Sequence, residues 1–360
     1  MQQQISKPFN ISRHLIMSAY KRVKQNKGSA GIDRISLEDY EQNLKNYLYK
    51  LWNRMSSGSY LPEPVKLVEI PKSNGGTRPL GIPTVNDRIA QMAVVLEIEH
   101  RLESIFHSDS YGYRPGRSVH EAIGQARKRC WHYDWVLDMD ISKFFDTIDH
   151  DLLMKAVELH ISEKWILLYI KRWLVVPYEK PTGERIARDK GVPQGSVIGL
   201  VLANLYLHYV FDKWLAIHYP AVPFERYADD TIVHCRTLEE AENLKIVISN
   251  RLAECKLKLN EEKTRIVYCK QAGRRKDYPG ISFDFRGWIQ YYGKYYPSLL
   301  KKFLTCLNYR LARWACRKYK GLRKKLRAGY HWLGKIAHRE KTLFYHWSYG
   351  ILPTAPRKLR

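Results

Sequence analysis

Two stretches of β-forming residues carry carboxylates that an apolar strand does not hold cheaply, and they constrain the fold of this 360-residue chain more than any other feature. One is Leu137-Asp138-Met139-Asp140-Ile141, within a strand predicted over 135–141. The other is Phe224 to Val233, overlapping a hairpin predicted over 225–235 with Ala228-Asp229-Asp230 at its tip. A charge in such a strand is costly to bury unless something positive meets it. Asp138 and Asp140 share a strand face by the period of two, whereas adjacent residues point opposite ways unless a tight turn aims both at one spot. Taken alone, an Asp-Asp tip is more often simply solvated. Asp138 or Asp140 set against Asp229 and Asp230 would instead form a cluster of hard oxygen ligands suited to Mg²⁺. Two such ions can clamp both oxygens of an in-line phosphoryl displacement. Spacing leaves open which acid joins the pair, across the 89 residues from Asp140 to Asp229.

The charge is placed unevenly. The chain has 61 Lys and Arg against 36 Asp and Glu, a net +25. Residues 270–360 hold 23 of the cations and 3 of the acids, a net +20, while residues 1–269 are nearly balanced at +5. Of the 45 Phe, Trp and Tyr, 18 lie in that basic quarter. With 45% hydrophobic residues the chain is too apolar to be disordered, and the excess positive charge favours a polyanionic partner such as nucleic acid. The longest apolar stretch, Val197 to Phe211, is interrupted by Asn204 and His208, so no membrane partner is expected. The start of the chain lacks a cationic-then-apolar signal pattern, and the six cysteines form no C-x-x-C pair. A cytoplasmic location, nucleoid-associated when engaged with DNA, is the expectation.

Helices are predicted at 12–24, from Ser36 through Met55, at 87–105 and 118–130, in segments over 149–175, at 193–216 and at 238–255. Strands are predicted at 65–71 and 77–82, closed by Asn74-Gly75-Gly76, and at 264–269. Without a regular βαβα rhythm, the fold class is α+β rather than doubly wound.

Several blocks resemble, in order, those of bacterial group II intron-encoded reverse transcriptase–maturases. Ile70-Pro71-Lys72 with Arg78 to Pro83 resembles the fingers block, and Asp109 to Ser118 the block that follows. Asp140-Ile141-Ser142-Lys143-Phe144-Phe145-Asp146 is similar to motif A, Gly191 to Ser196 to motif B, and Tyr227-Ala228-Asp229-Asp230 to the Y-x-D-D box. Leu259 to Thr264 resembles the block after the catalytic hairpin, and Gly287 to Gly293 with Arg313-Trp314-Ala315 the maturase (X) domain.

The resemblance implies a right-hand polymerase, with fingers and palm over 1–275 and an all-α thumb/maturase domain over 276–360. It implies an RNA-directed DNA polymerase that adds dNTPs to a DNA primer or target on an RNA template, and that binds intron RNA for splicing and retrohoming. Asp140, Asp229 and Asp230 would hold two Mg²⁺ with the Ile141 carbonyl. Lys72 and Arg78 would lie over the triphosphate. Phe145 would sit under the sugar and disfavour a 2′ hydroxyl; Phe144 and Phe145 can equally be core. Gln194 and Gly195, read as opening a helix, would offer backbone N–H groups to phosphate or sugar. Tyr227, Arg310, Arg313, Arg317, Lys318, Arg323 and Lys324 would contact nucleic acid, although a charged helix face is ordinarily just solvated. In the basic quarter, a helix from Ser298 would turn Leu304, Leu307, Leu311 and Trp314 inward.

Two departures stand out. Arg286-Gly287-Trp288 follows Tyr278 to Phe285 directly, where the family has several tens more residues, so the junction of palm and maturase domain reads as shortened. Nothing after Tyr349 resembles an endonuclease module, so target cleavage is not expected. The rival reading is a non-catalytic RNA-binding maturase or RNA chaperone with a crippled polymerase. The intact acid triad, for which an RNA-binding descendant has no chemical need, weighs against it.

Overall fold

Amphipathic spacing builds the first element. In α1 (Arg13–Asn26), Ile16, Ala19, Tyr20 and Val23 are buried on one face. This computed structural model describes residues 7–26, 28–71, 76–269, 278, 297–322, 325–340, 343, 344, 347 and 352–354. The chain divides into two compact units, Met1–Phe283 and Asp284–Arg360. Among the described residues, no helix is long and apolar enough to cross a membrane.

Ser36 starts the next helix through a capping box. Its Oγ accepts from Asp39 N at 3.1 Å, and Asp39 Oδ2 accepts from Ser36 N at 3.1 Å. The apolar stripe from Leu37 to Met55 predicts one continuous helix; the structure divides it at Asn43, where ψ is 37°. The result is α2 (Leu37–Gln42) and α3 (Leu44–Ser57). The hairpin of β1 (Val65–Pro71) and β2 (Thr77–Ile82) pairs in register from Lys66↔Ile82 to Pro71↔Thr77. Lys72, which follows β1 in sequence, lies outside the described residues.

Next, α4 (Val85–Glu103) is buried around most of its circumference. The loop 110–117 is pinned by Arg114, which donates to Glu103 and to the His107 and Ser110 carbonyls. It leads to α5 (Val119–Arg129), β3 (Trp135–Met139), α6 (Phe144–Thr147), α7 (His150–Glu158) and α8 (Lys164–Val175). Two short strands absent from the sequence prediction, β4 (Tyr178–Glu179) and β5 (Arg185–Ile186), extend the first sheet to the order β2-β1-β4-β5. Two residues each are too few for alternation to show.

The long helix predicted over 193–216 begins later and is not uniform. It consists of α9 (Val197–Leu207), a π-helical turn His208–Asp212, and α10 (Lys213–His218). Then β6 (Phe224–Tyr227) and β7 (Asp230–Cys235) form the acidic hairpin, followed by α11 (Leu238–Glu254) and β8 (Arg265–Tyr268). The second sheet is antiparallel in the order β6-β7-β3-β8.

In the second unit, α12 (Pro297–Lys318) and α13 (Leu326–Arg339) pack around Ala312, Tyr330, Leu333, Ala337 and Trp347. Leu304 is buried and Leu311 packs against this cluster as predicted, but Leu307 is 36% and Trp314 47% exposed, and Asn308, Ala312 and Ala315 complete the buried face of α12. Small side chains allow close helix contact. Trp314 instead lies outside, beneath the Lys318 ammonium. The shortened junction expected near Gly287 lies outside the described residues.

β6 is buried on both faces and carries two charges, so each needs a partner. Glu225 accepts from Arg129 Nη1 at 2.7 Å and faces His234 Nε2 at 2.6 Å. Removing one partner of a buried pair leaves an uncompensated charge, so Arg129→Ala is expected to destabilise by about 3 kcal/mol. Urea unfolding measures it, with Lys171→Ala, from an exposed pair, as the control that leaves the midpoint unmoved.

Candidate active site

The register of the second sheet brings the distant acids together. β3 runs against β7 with Asp138↔Ile232 and Met139↔Thr231, so the ladder ends where Asp140 follows Met139 and Asp230 precedes Thr231, close enough for the Asp140 charge to act on Asp230. Tyr227↔Asp230 closes β6 on β7, leaving Ala228 and Asp229 as the turn. Ala228 takes the left-handed conformation with φ +59°, an uncommon one for a residue with a side chain.

β3 ends two residues earlier than predicted because the chain turns to a different partner. Ser142 N donates to the Lys258 carbonyl and Asn260 N to the Asp140 carbonyl, both at 2.8 Å. These bonds form a bridge between Ile141 and Leu259, and neither engages the Ile141 carbonyl. The Asp140 carboxylate accepts from Asn260 Nδ2 at 2.9 Å and from Lys263 Nζ at 3.0 Å. Lys263 and Asn260 are therefore members of the site that sequence reasoning did not assign, although both lie in the block after the hairpin.

The electrostatics are those of crowded carboxylates. Burial raises the proton affinity of Asp229; the Asp140 charge adds to this, while Arg78 and Lys263 oppose it. Asp230 keeps an open edge to solvent yet is largely enclosed by protein. Loss of water, then the charges of Asp229, Asp140 and Asp138, push its carboxyl up to about 7. Among the described residues, no three carboxylate, imidazole or thiol groups are gathered closely enough to grip an ion as they stand, and Asp140 is turned toward Asn260 and Lys263. The donor chemistry nonetheless fits a divalent cation: hard oxygens whose mutual repulsion such a charge relieves.

The other predicted residues divide into two groups. Arg78, exposed on β2, donates through Nε to Gln194 Oε1, and its charge acts on Asp229. Gly81 N donates to the Gln194 carbonyl at 2.8 Å. Gly195 has φ +110°, and a Cβ there would lie 2.4 Å from the Gly81 carbonyl oxygen, so only glycine fits against β2. These contacts tie Gln194 and Gly195 to the first sheet. They do not open a helix: α9 starts at Val197 behind Ser196, whose Oγ accepts from Gly199 N. The amides of Val197 and Ile198 donate to Gln91 Oε1, at 2.9 and 3.4 Å. That corrects the expectation that this helix end presents free N–H groups.

Phe144 and Phe145 are both core, at 2% and 4% exposure, with rings edge to face at 5.2 Å. Tyr227 is half-buried with its ring 6.4 Å from that of Tyr113. In the second unit, Arg310, Arg313, Arg317 and Lys318 lie on α12, while Arg323 and Lys324 lie outside the described residues. Sequence reasoning also passed over Arg226 and Asp212, an ion pair at 2.6 Å with no exposed surface on either side chain. The available signal was an arginine inside an apolar strand next to the acids.

Residues 70–320 match the family described as reverse transcriptase (RNA-dependent DNA polymerase). The chain is similar to Protein YkfC of Escherichia coli (strain K12), 35% identical over 279 residues covering 66% of this chain and 71% of that protein. It is also similar to the group II intron-encoded protein LtrA of Lactococcus lactis subsp. cremoris, 28% identical over 71% of this chain and 53% of LtrA. The putative COX1/OXI3 intron 1 protein of Saccharomyces cerevisiae is 31% identical over 56% of this chain and 24% of its own length. The match thus spans about half of LtrA and a quarter of the yeast protein. The chain belongs to the reverse transcriptase family, among relatives that include group II intron-encoded proteins.

Proposed function

We propose that this chain is an RNA-directed DNA polymerase that extends a primer with dNTPs and also binds a structured intron RNA. The observation that supports the reading is the β3–β7 register, which ends at Met139↔Thr231, one residue from Asp140 and one from Asp230. Asp140, Asp229, Asp230 and the Ile141 carbonyl would hold two Mg²⁺, which when bound supply charge neutralisation for the attacking 3′ oxygen and the departing pyrophosphate. The residues' own contribution is to fix the reacting groups in line and to focus negative charge at one point.

Arg78, with Lys72 from the same hairpin, would face the triphosphate; Gln194 and Gly195 hold Arg78 and β2 at that position. Phe145 limits space at the sugar through its rigid, buried packing. Tyr227 would lie along the primer. Arg310, Arg313, Arg317 and Lys318, with Arg323 and Lys324, would give the second unit a surface for RNA phosphates. The LtrA likeness supports a group II intron RNA as the bound RNA.

Purified protein is expected to extend a DNA primer on an RNA template with dNTPs and Mg²⁺, and Asp229→Ala to lower the rate at least ~10³-fold while RNA binding persists. Tight, salt-sensitive RNA binding without extension by the parent would leave the RNA-chaperone reading in its place. Phe145→Ala is expected to raise ribonucleotide incorporation; unchanged sugar selectivity in a competition assay would remove its role. Replacing Arg310 and Arg313 together with Gln should flatten the log–log salt dependence of RNA binding by about 0.7 for each phosphate no longer neutralised.

A further inference from the structure

The Arg226 guanidinium commits every arm. Nε and Nη2 donate to the two oxygens of Asp212 at 2.7 and 2.6 Å, a two-pronged pair sealed from solvent. Nη2 also donates to Ser110 Oγ at 2.8 Å, and Nη1 to Asn204 Oδ1 at 3.0 Å. The remaining bond runs from Nη1 to the Ala228 carbonyl at 2.9 Å. Ala228 is the left-handed residue of the turn that carries Asp229.

Two further features converge on the same turn. Asp212 closes the π-helical segment His208–Asp212, whose wider winding sets it off the face that an uninterrupted α-helix would give it. Asn204, one element earlier, donates through Nδ2 to the Gly112 carbonyl at 2.7 Å. Gly112 approaches so closely that a Cβ there would lie 2.3 Å from Ala228 N. The turn is thus held by its carbonyl on one side and closed off at its amide on the other.

We infer that Arg226, Asp212 and Asn204 are positioning residues, fixing the turn so that Asp229 and Asp230 face Asp140. The reaction they serve is the polymerase reaction proposed above. Stability alone does not require this arrangement, since a buried ion pair can be replaced by apolar residues of similar volume without loss. A two-pronged pair does what an apolar pair cannot: it fixes the direction of the third arm, and so the place of the Ala228 carbonyl.

The test is the full chain carrying Arg226→Met with Asp212→Leu, which removes both charges together. The unfolding midpoint should fall modestly, because both charges leave together but Ser110, Asn204 and the Ala228 carbonyl lose a donor, while kcat for primer extension falls ~10²-fold and KM for dNTP changes little. Amide deuterium exchange over residues 227–230 should speed up ~10-fold while that of residues 232–235 holds. Asn204→Ala, which spares the ion pair, is the second variant should the double variant not fold; it should show the same pattern more weakly. Parental kcat and parental exchange at 227–230 in whichever variant folds would overturn the inference. If the parent itself extends no primer, the polymerase reading fails, and the exchange measurement alone decides whether this network holds the turn.

Discussion

The antiparallel contact between β3 and β7 is the constraint on which the site rests. It brings charges of one sign to one end of the sheet, so every element nearby must either supply positive charge or hold the backbone against repulsion. Lys263 does the first at Asp140, where the neutral Asn260 amide adds a hydrogen bond, and Arg78 acts on Asp229 from the other sheet. On the strand behind the turn, Glu225 and Arg226 are balanced separately, by Arg129 with His234 and by Asp212. The acids at the sheet end are therefore the exposed part of a larger buried charge arrangement.

Gln91 and Gln194 tie the first sheet and α4 to the segment that starts α9. Gln194 bonds to β2 through its carbonyl and to Arg78 through its side chain. Gln91, buried in α4, takes the first amides of α9 and the Ser196 hydroxyl. The two glutamines link elements that carry or face the acids. A helix start that would otherwise attract an anion is satisfied internally, so recognition there falls to side chains.

Much of this was legible in the residues. The capping signal at Ser36, the hairpin of β1 and β2 and the acidic hairpin follow from patterns local in sequence. The convergence of Asp140 with Asp229 and Asp230 was chemically suggested, but it became specific only through resemblance, because strand register is a long-range property. The missed features share that origin. Strand β4 is set by a neighbour distant in sequence, β1, and β5 forms only as its hairpin partner. On α12, Ala312 and Ala315 are buried while Trp314 stays outside, so closeness of approach overrode hydrophobicity. Arg226 was hidden for another reason: an arginine beside acids reads as a local surface charge, whereas its partner Asp212 lies in a π-helical turn that periodicity cannot anticipate.

Gly112 has a consequence for traffic at the site. With its backbone against Ala228 there is no room for a further atom behind the turn, and Ser110 and Tyr111 line the adjoining edge of β6. The rear approach to Asp229 and Asp230 is blocked by main chain, which cannot swing aside as a side chain does. Access from that side is fixed by backbone, whereas the edge of Asp230 stays open to solvent.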